Sequence, residues 1–226
     1  MSTAPRGARL LLVVLLSTLT LTACAATGEL AVVDTTVVTW LGEDGSTAGQ
    51  VIVSVRNDAD RAIDPDVVGS GRLTVAHLLD PGGEDLPGGD ARVQLHAVPH
   101  VLDPGEDGYL IGDFEISEAT DRVADARIEV NAAPADERAP VIVEGFELVE
   151  SESGVGGAGH LEWDGAGTAV ARAIALDADG RVLGYAATSE VRYEAGDFTM
   201  CCFPPTVDRA AIDEVVVFGD QARDEN

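Results

Sequence analysis

Met200-Cys201-Cys202 sets two adjacent thiols beside a thioether, the most reactive juxtaposition in the chain. Three fates are open to it: a vicinal disulfide, two reduced thiols, or a soft-metal site in which Met200, Cys201 and Cys202 supply the ligands that Cu(I) prefers. Neighbouring Cβ atoms are close enough to bridge, but closing so small a ring distorts the intervening peptide and makes the bond reducible. Phe203-Pro204-Pro205 follows as a rigid turn at a strand end. Asp177-Ala178-Asp179-Gly180 has the alternating acids that open a calcium loop, which needs several further oxygen ligands. The continuation Arg181-Val182-Leu183-Gly184 offers none, and an Asp-Gly hairpin turn accounts for the run at no extra cost. Asp80 to Asp85 and Asp103 to Asp107 read as exposed turns in the same way. The histidines are His77, His96, His100 and His160. His96 and His100 fall on one face of a strand, but Pro99 between them argues for an edge or a bend, and a pair without a third ligand is a weak metal signal. The expectation is no metal and no cofactor.

The third cysteine has a different setting. Arg6 and Arg9 precede the apolar run Leu10 to Leu16, and Leu21-Thr22-Ala23-Cys24 closes it. This order of positive start, apolar stretch and small-residue exit is that of a secretory signal. The segment to Ala23 is interrupted by Ser17, Thr18, Thr20 and Thr22, and it falls short of the ~20 apolar residues a membrane-spanning helix needs. Leu21 to Cys24 resembles the lipobox of bacterial lipoprotein precursors. The resemblance implies a thioether lipid on Cys24, cleavage ahead of it, and attachment to the extracytoplasmic face of the cell membrane by two or three acyl chains, enough for stable anchoring. Cys201 and Cys202 are then the remaining thiols of an exported protein, where a disulfide is the expected state.

Acids outnumber bases 40 to 14. Removal of the leader takes two arginines and no acid, which leaves −28. Such a charge argues against nucleic acid and anionic lipid headgroups as direct partners; solubility is its simplest reading. All the basic residues are arginine, and with the abundant Ala, Val, Asp and Gly the composition resembles that of a high-GC actinobacterial proteome. Nucleophile elbow, zinc-protease helix, phosphate loop and dinucleotide fingerprint are all missing from the sequence, and aromatic residues make up only 4%, few for a sugar-binding cleft. The reading is a non-catalytic binding module whose partner is a protein or another envelope component. The alternative is an extracytoplasmic copper or redox protein centred on Met200, Cys201 and Cys202.

An internal repeat offset by about 100 residues organises the chain. Ala31 to Trp40 matches Pro140 to Glu150 as an opening strand, followed by Gly-rich loops at Gly42 to Gly49 and Gly154 to Gly159. Gln50 to Arg56 matches a weaker His160 to Trp163, and Leu73 to Asp80 matches Val170 to Asp177, each before a turn. Val93 to Val101 with Asp103-Pro104-Gly105 matches Tyr185 to Tyr193 with Ala195-Gly196-Asp197, and Ala124 to Val130 matches Ile212 to Phe218. Period-2 alternation with turn residues every eight to twelve positions predicts an all-β protein of two tandem immunoglobulin-like β-sandwich domains. The expected boundaries are signal peptide 1–23, lipidated tether 24–28, first domain 29–131, linker 132–139, second domain 140–220 and acidic tail 221–226. The polar, Pro-bearing linker predicts two units that each fold alone.

Val53, Val55 and Asn57 in the first copy, and Leu176, Asp177 and Gly180 in the second, resemble the FxLYD-type immunoglobulin-like domains of bacterial extracytoplasmic lipoproteins. The tyrosine of the family name is replaced by Leu79 before Asp80 and by Leu176 before Asp177. The resemblance implies non-catalytic modules and carries over no functional residue.

Overall fold

The computed structural model describes residues 29–42, 45–65, 73–88, 91–116, 123–136, 140–164, 168–188 and 194–222. The expected leader, Cys24 and the tether lie outside them. Among the described residues the chain is all-β, with one short 3-10 turn at Arg209–Ala211. The first half holds β1 (Leu30–Leu41), β2 (Thr47–Asn57), β3 (Ile63–Asp64), β4 (Val75–Leu79), β5 (Arg92–Gln94), β6 (His96–Val98), β7 (Asp107–Ile116), β8 (Asp125–Glu129) and β9 (Ala133–Pro134). The second holds β10 (Ile142–Ser151), β11 (Gly154–Glu162), β12 (Thr168–Leu176), β13 (Val182–Ala187), β14 (Gly196–Met200) and β15 (Glu214–Ala222).

Strand order repeats between the halves. The first half forms sheets β1-β2-β7-β6 and β5-β4-β8, and the second forms β10-β11-β14 and β13-β12-β15, so six strands of each half occupy equivalent places. The turn after the third of these six is built the same way twice. Asp80 Oδ1 accepts from the N–H of Gly82 and Glu84, and Asp177 Oδ1 from those of Asp179 and Arg181. Gly83 and Gly180 take positive φ at equivalent points, +79° and +76°, as a turn of this kind requires. The Asp177 run is therefore a hairpin turn whose carboxylate is engaged by the backbone.

A second shared device explains the glycines. Gly49 in β2 pairs with Phe114 in β7, and Gly159 in β11 with Phe198 in β14. In each case the ring lies over the glycine, in the space a Cβ would crowd. Phe146 covers Gly157 likewise. Gly154 to Gly159, expected as a loop, is thus most of β11: the glycines make room for aromatic rings rather than for a bend. The ten-residue β7, which the sequence reading passed over, is the strand that completes the first large sheet.

Within each half the two sheets face each other over an apolar core. Val51, Val53 and Val55 of β2 meet Ala76, Leu78, Val93 and Ala126 of the opposite sheet. In the second half Phe198, Met200 and Phe203 pack on Ala171, Ala173 and Ala175 of β12, so small residues on one sheet receive large ones from the other. A third cluster unites the halves. Ile52, Val98 and Ile111, on the outer face of β1-β2-β7-β6, pack against Ile174, Leu176 and Val182 on the outer face of β13-β12-β15. The result is four sheets in a stack, with β2 and β12 covered on both faces. Each such side chain, fully buried, is worth about 1.5–3 kcal/mol.

Two expected boundaries shift. Ala133–Pro134, placed in the linker, is a strand paired with Ile63–Asp64, and Ala135 N–H donates to the Ala62 carbonyl; proline tolerates this short pairing because it lies at a sheet edge. The second half runs past residue 220, since Gln221 and Ala222 continue β15 against Ala169 and Thr168. The halves also share a buried face, so their independence is not that of two beads on a polar string. At the other end of the chain a clasp closes the β1–β2 hairpin: the Glu29 carbonyl accepts from Asp58 N–H at 2.9 Å, and the Glu29 carboxylate pairs with Arg61.

Candidate functional site

Polar side chains at the seam between the halves are few and fully engaged. Asp220, at 1% exposure, projects from β15. Its carboxylate accepts from His100 N–H at 3.0 Å and from Arg172 Nη1 at 3.1 Å, and pairs with His100 Nδ1. Arg172 also reaches across to the Ala97 carbonyl at 3.0 Å. Gln50 supplies a second crossing: its Oε1 accepts from Tyr185 N–H at 3.1 Å, and its Nε2 donates to the Tyr185 carbonyl and to Asp113 Oδ1. A buried carboxylate is tolerable only when paired in this way. Burial raises the Tyr185 phenol above its ordinary range, with Arg172 opposing and Asp113 and Asp220 adding. Burial raises Tyr109 too, with help from Glu214 and Asp107, and its ring meets Phe218 edge-on at 5.9 Å. Asp220, Arg172 and Gln50 escaped the sequence reading. The available signal was a single charge inside an otherwise apolar strand, Arg172 in VARAIAL and Asp220 after VVVFG.

The histidine pair expected on one strand face is divided. β6 ends at Val98, the chain turns at Pro99, and His100 enters the seam while His96 stays exposed.

The outer face of β10-β11-β14 is open. Glu144, His160 and Asp197 line up across the three strands in register, and His160 Nδ1 lies 2.8 Å from Asp197 Oδ1. Glu147 and Glu162 share this face, as do Ile142 and Val149, which are 50% and 45% exposed. β10 bulges between Glu144 and Glu147, where Gly145 adopts φ +60°, and the bulge leaves a shallow depression of about 540 Å³ beside His160. No arginine occurs in these three strands. The opposite outer sheet, β5-β4-β8, mixes both signs: Arg127 pairs with Asp85 at 2.7 Å, Arg92 lies in β5, and His77 Nε2 lies 3.8 Å from a Glu129 carboxylate oxygen.

At the end of β14 the sulfurs of Cys201 and Cys202 are joined as a disulfide. The ligand set expected of a copper site is broken up. Strand alternation sends Met200 inward, 4% exposed in the second core with Phe198, while Cys201 faces out. Among the described residues no three His, Cys, Asp or Glu side chains converge to hold a metal ion.

No protein-family model, curated protein or solved structure matches the chain.

Proposed function

We propose that the chain is a non-catalytic binding module of the cell envelope, two immunoglobulin-like sandwiches attached through a lipid on Cys24 to the extracytoplasmic face of the membrane. The outer face of β10-β11-β14 meets a basic surface of an envelope protein partner. The lipobox-like Leu21 to Cys24 supports the anchor, and Glu29, the first described residue, follows Cys24 closely in sequence. The observation that carries the binding role is the contrast between the two outer sheets. One mixes arginine with its acids and pairs Arg127 with Asp85, whereas the other has no arginine in its strands and carries Glu144, Glu147 and Glu162 beside exposed Ile142 and Val149. Exposed aliphatic side chains rimmed by uncompensated charge are the composition of a contact surface.

Two experiments test this. Cys24→Ser is expected to abolish detergent partitioning of the processed protein; a mature-sized species still entering the detergent phase would refute the anchor. A photo-crosslinker at Thr199 is expected to capture a discrete envelope protein in intact cells, and one at Arg127 to capture none. Equal capture at both positions would refute the choice of face.

A further inference from the structure

The vicinal cysteines contribute to neither core nor seam, and a ring this small contributes little to stability. A disulfide stabilises chiefly by restricting the unfolded chain, and the restriction grows with the length of loop closed. Here the loop is two adjacent residues, so cross-linking alone gives the chain almost nothing for its two cysteines.

Their surroundings are built with care nonetheless. Met200 and Phe203, the residues on either side, are 4% and 3% exposed and rooted in the second core. Phe203 N–H donates to the Val155 carbonyl at 2.8 Å, Cys201 forms a β-bridge with Ala187 of β13, and Pro204 packs on Gly184. The pair thus sits on a frame fastened to both sheets of the second half, with Cys201 exposed and Cys202 half-buried. None of these contacts runs through the sulfur–sulfur bond. Exposed disulfides are the labile ones.

We propose that Cys201–Cys202 is a thiol–disulfide exchange site that accepts two electrons from a dithiol, the co-reactant being a protein dithiol reaching it from solvent. A thiolate of the dithiol attacks the exposed Cys201 Sγ. The Cys201–Cys202 bond breaks, a mixed disulfide forms, and Cys202 leaves as a thiolate that takes a proton from water. The second thiol of the dithiol, losing its proton, then attacks its own sulfur in the mixed disulfide. The dithiol departs as a disulfide, and Cys201 leaves as a thiolate that is protonated in turn. Two thiols remain on this chain.

The test uses the full exported chain in non-ionic detergent with dithiothreitol as the dithiol. Alkylation is read by mass on the tryptic peptide from Tyr193 to Arg209, which holds both cysteines and excludes Cys24, so the outcome does not depend on whether Cys24 carries lipid. The purified protein is expected to give this peptide without alkyl groups. Dithiothreitol should then add two alkylation sites while the circular dichroism spectrum stays native. In the single-cysteine variants, Cys201 left by Cys202→Ser should form a mixed disulfide with an oxidised monothiol faster than Cys202 left by Cys201→Ser. Should either variant fail to fold, brief reduction of the parent with a monothiol, followed by mapping of the mixed disulfide to Cys201 or Cys202, gives the same order. Two alkylated cysteines in the purified protein, reduction only in denaturant, loss of fold on reduction, or attack first at Cys202 would each overturn the proposal.

Discussion

At the seam a single carboxylate, Asp220, is shut away from water and matched by Arg172 and His100. On the outer face of β10-β11-β14 four carboxylates stand in solvent with His160 among them. Both are sheet faces bearing charge, and both carry aliphatic side chains. The difference lies in pairing: the seam spends its few charges on fixing how two sheets meet, whereas the outer face, apart from Asp197 beside His160, leaves Glu144, Glu147 and Glu162 without a cationic partner. Charge count therefore says little about which face is structural, and the partners of each charge say a great deal.

Severing the chain within residues 137–139 is the harshest trial of that contrast. The two fragments are expected to remain associated when made together. Each made alone should self-associate, because it exposes Ile52, Val98 and Ile111 or Ile174, Leu176 and Val182. Sedimentation that finds two separate, monodisperse monomers would reduce the seam to a minor contact.

Next in size is Asp220→Ala, which leaves the partly exposed Arg172 and His100 without their buried acid. A loss of about 1.5–3 kcal/mol is expected in denaturant titration, that of hydrogen bonds to a buried charged group. A loss below about 1 kcal/mol would place the seam on a par with exposed ion pairs.

Gly157→Ala probes the rings laid over glycine. The new methyl meets the ring of Phe146 and forces repacking, which should cost about 1–3 kcal/mol. Gly180→Ala, open in space but at φ +76°, should lose stability through backbone strain alone. Calorimetry separates the two if Phe146→Leu rescues only Gly157→Ala.

A smaller effect concerns pH. Tyr185 holds its proton above the ordinary 10.0 because it is buried, so in alkali the unfolded chain ionises first and binds fewer protons than the folded one. Stability is intact below that pH and falls as pH rises beyond it. Tyr185→Phe should flatten this part of the alkaline fall in Tm, and an unchanged slope would show that the ring is not protected by the seam.

The smallest expected change in stability comes from Glu144→Gln, Glu147→Gln and Glu162→Gln together. Each exposed charge is worth within about 0.5 kcal/mol, so Tm should hardly move while crosslinking from Thr199 disappears. A large drop in Tm would mean that these carboxylates serve the fold after all.

The repeat was readable because its punctuation is local: Asp80 and Asp177 make the same turn, and short-range turn chemistry shows in sequence. β7 was harder. Leu110 enters the first core and its neighbour Ile111 enters the seam, so burial on both faces erases the period-2 signal from which strands are read. β11 was hidden differently, by glycines that mark loops in most contexts but here accept the rings of Phe146 and Phe198. The meeting of Asp220 with His100, 120 positions away, leaves no local trace. The Cys201–Cys202 pair was visible at once, yet the inward turn of Met200 follows only from the phase of β14.

The clasp at Glu29 bears on how the molecule carries tension. A pull transmitted from the N-terminal side arrives first at Glu29, at the open mouth of the β1–β2 hairpin, where Leu30 faces Asn57. From there β1 can only peel, parting its bonds to β2 one pair after another instead of sharing the load along twelve residues. The Glu29 carbonyl on Asp58 and the Glu29 carboxylate on Arg61 are thus the first links to part. Their strength sets the force at which a load applied through the proposed anchor on Cys24 would reach the rest of the molecule.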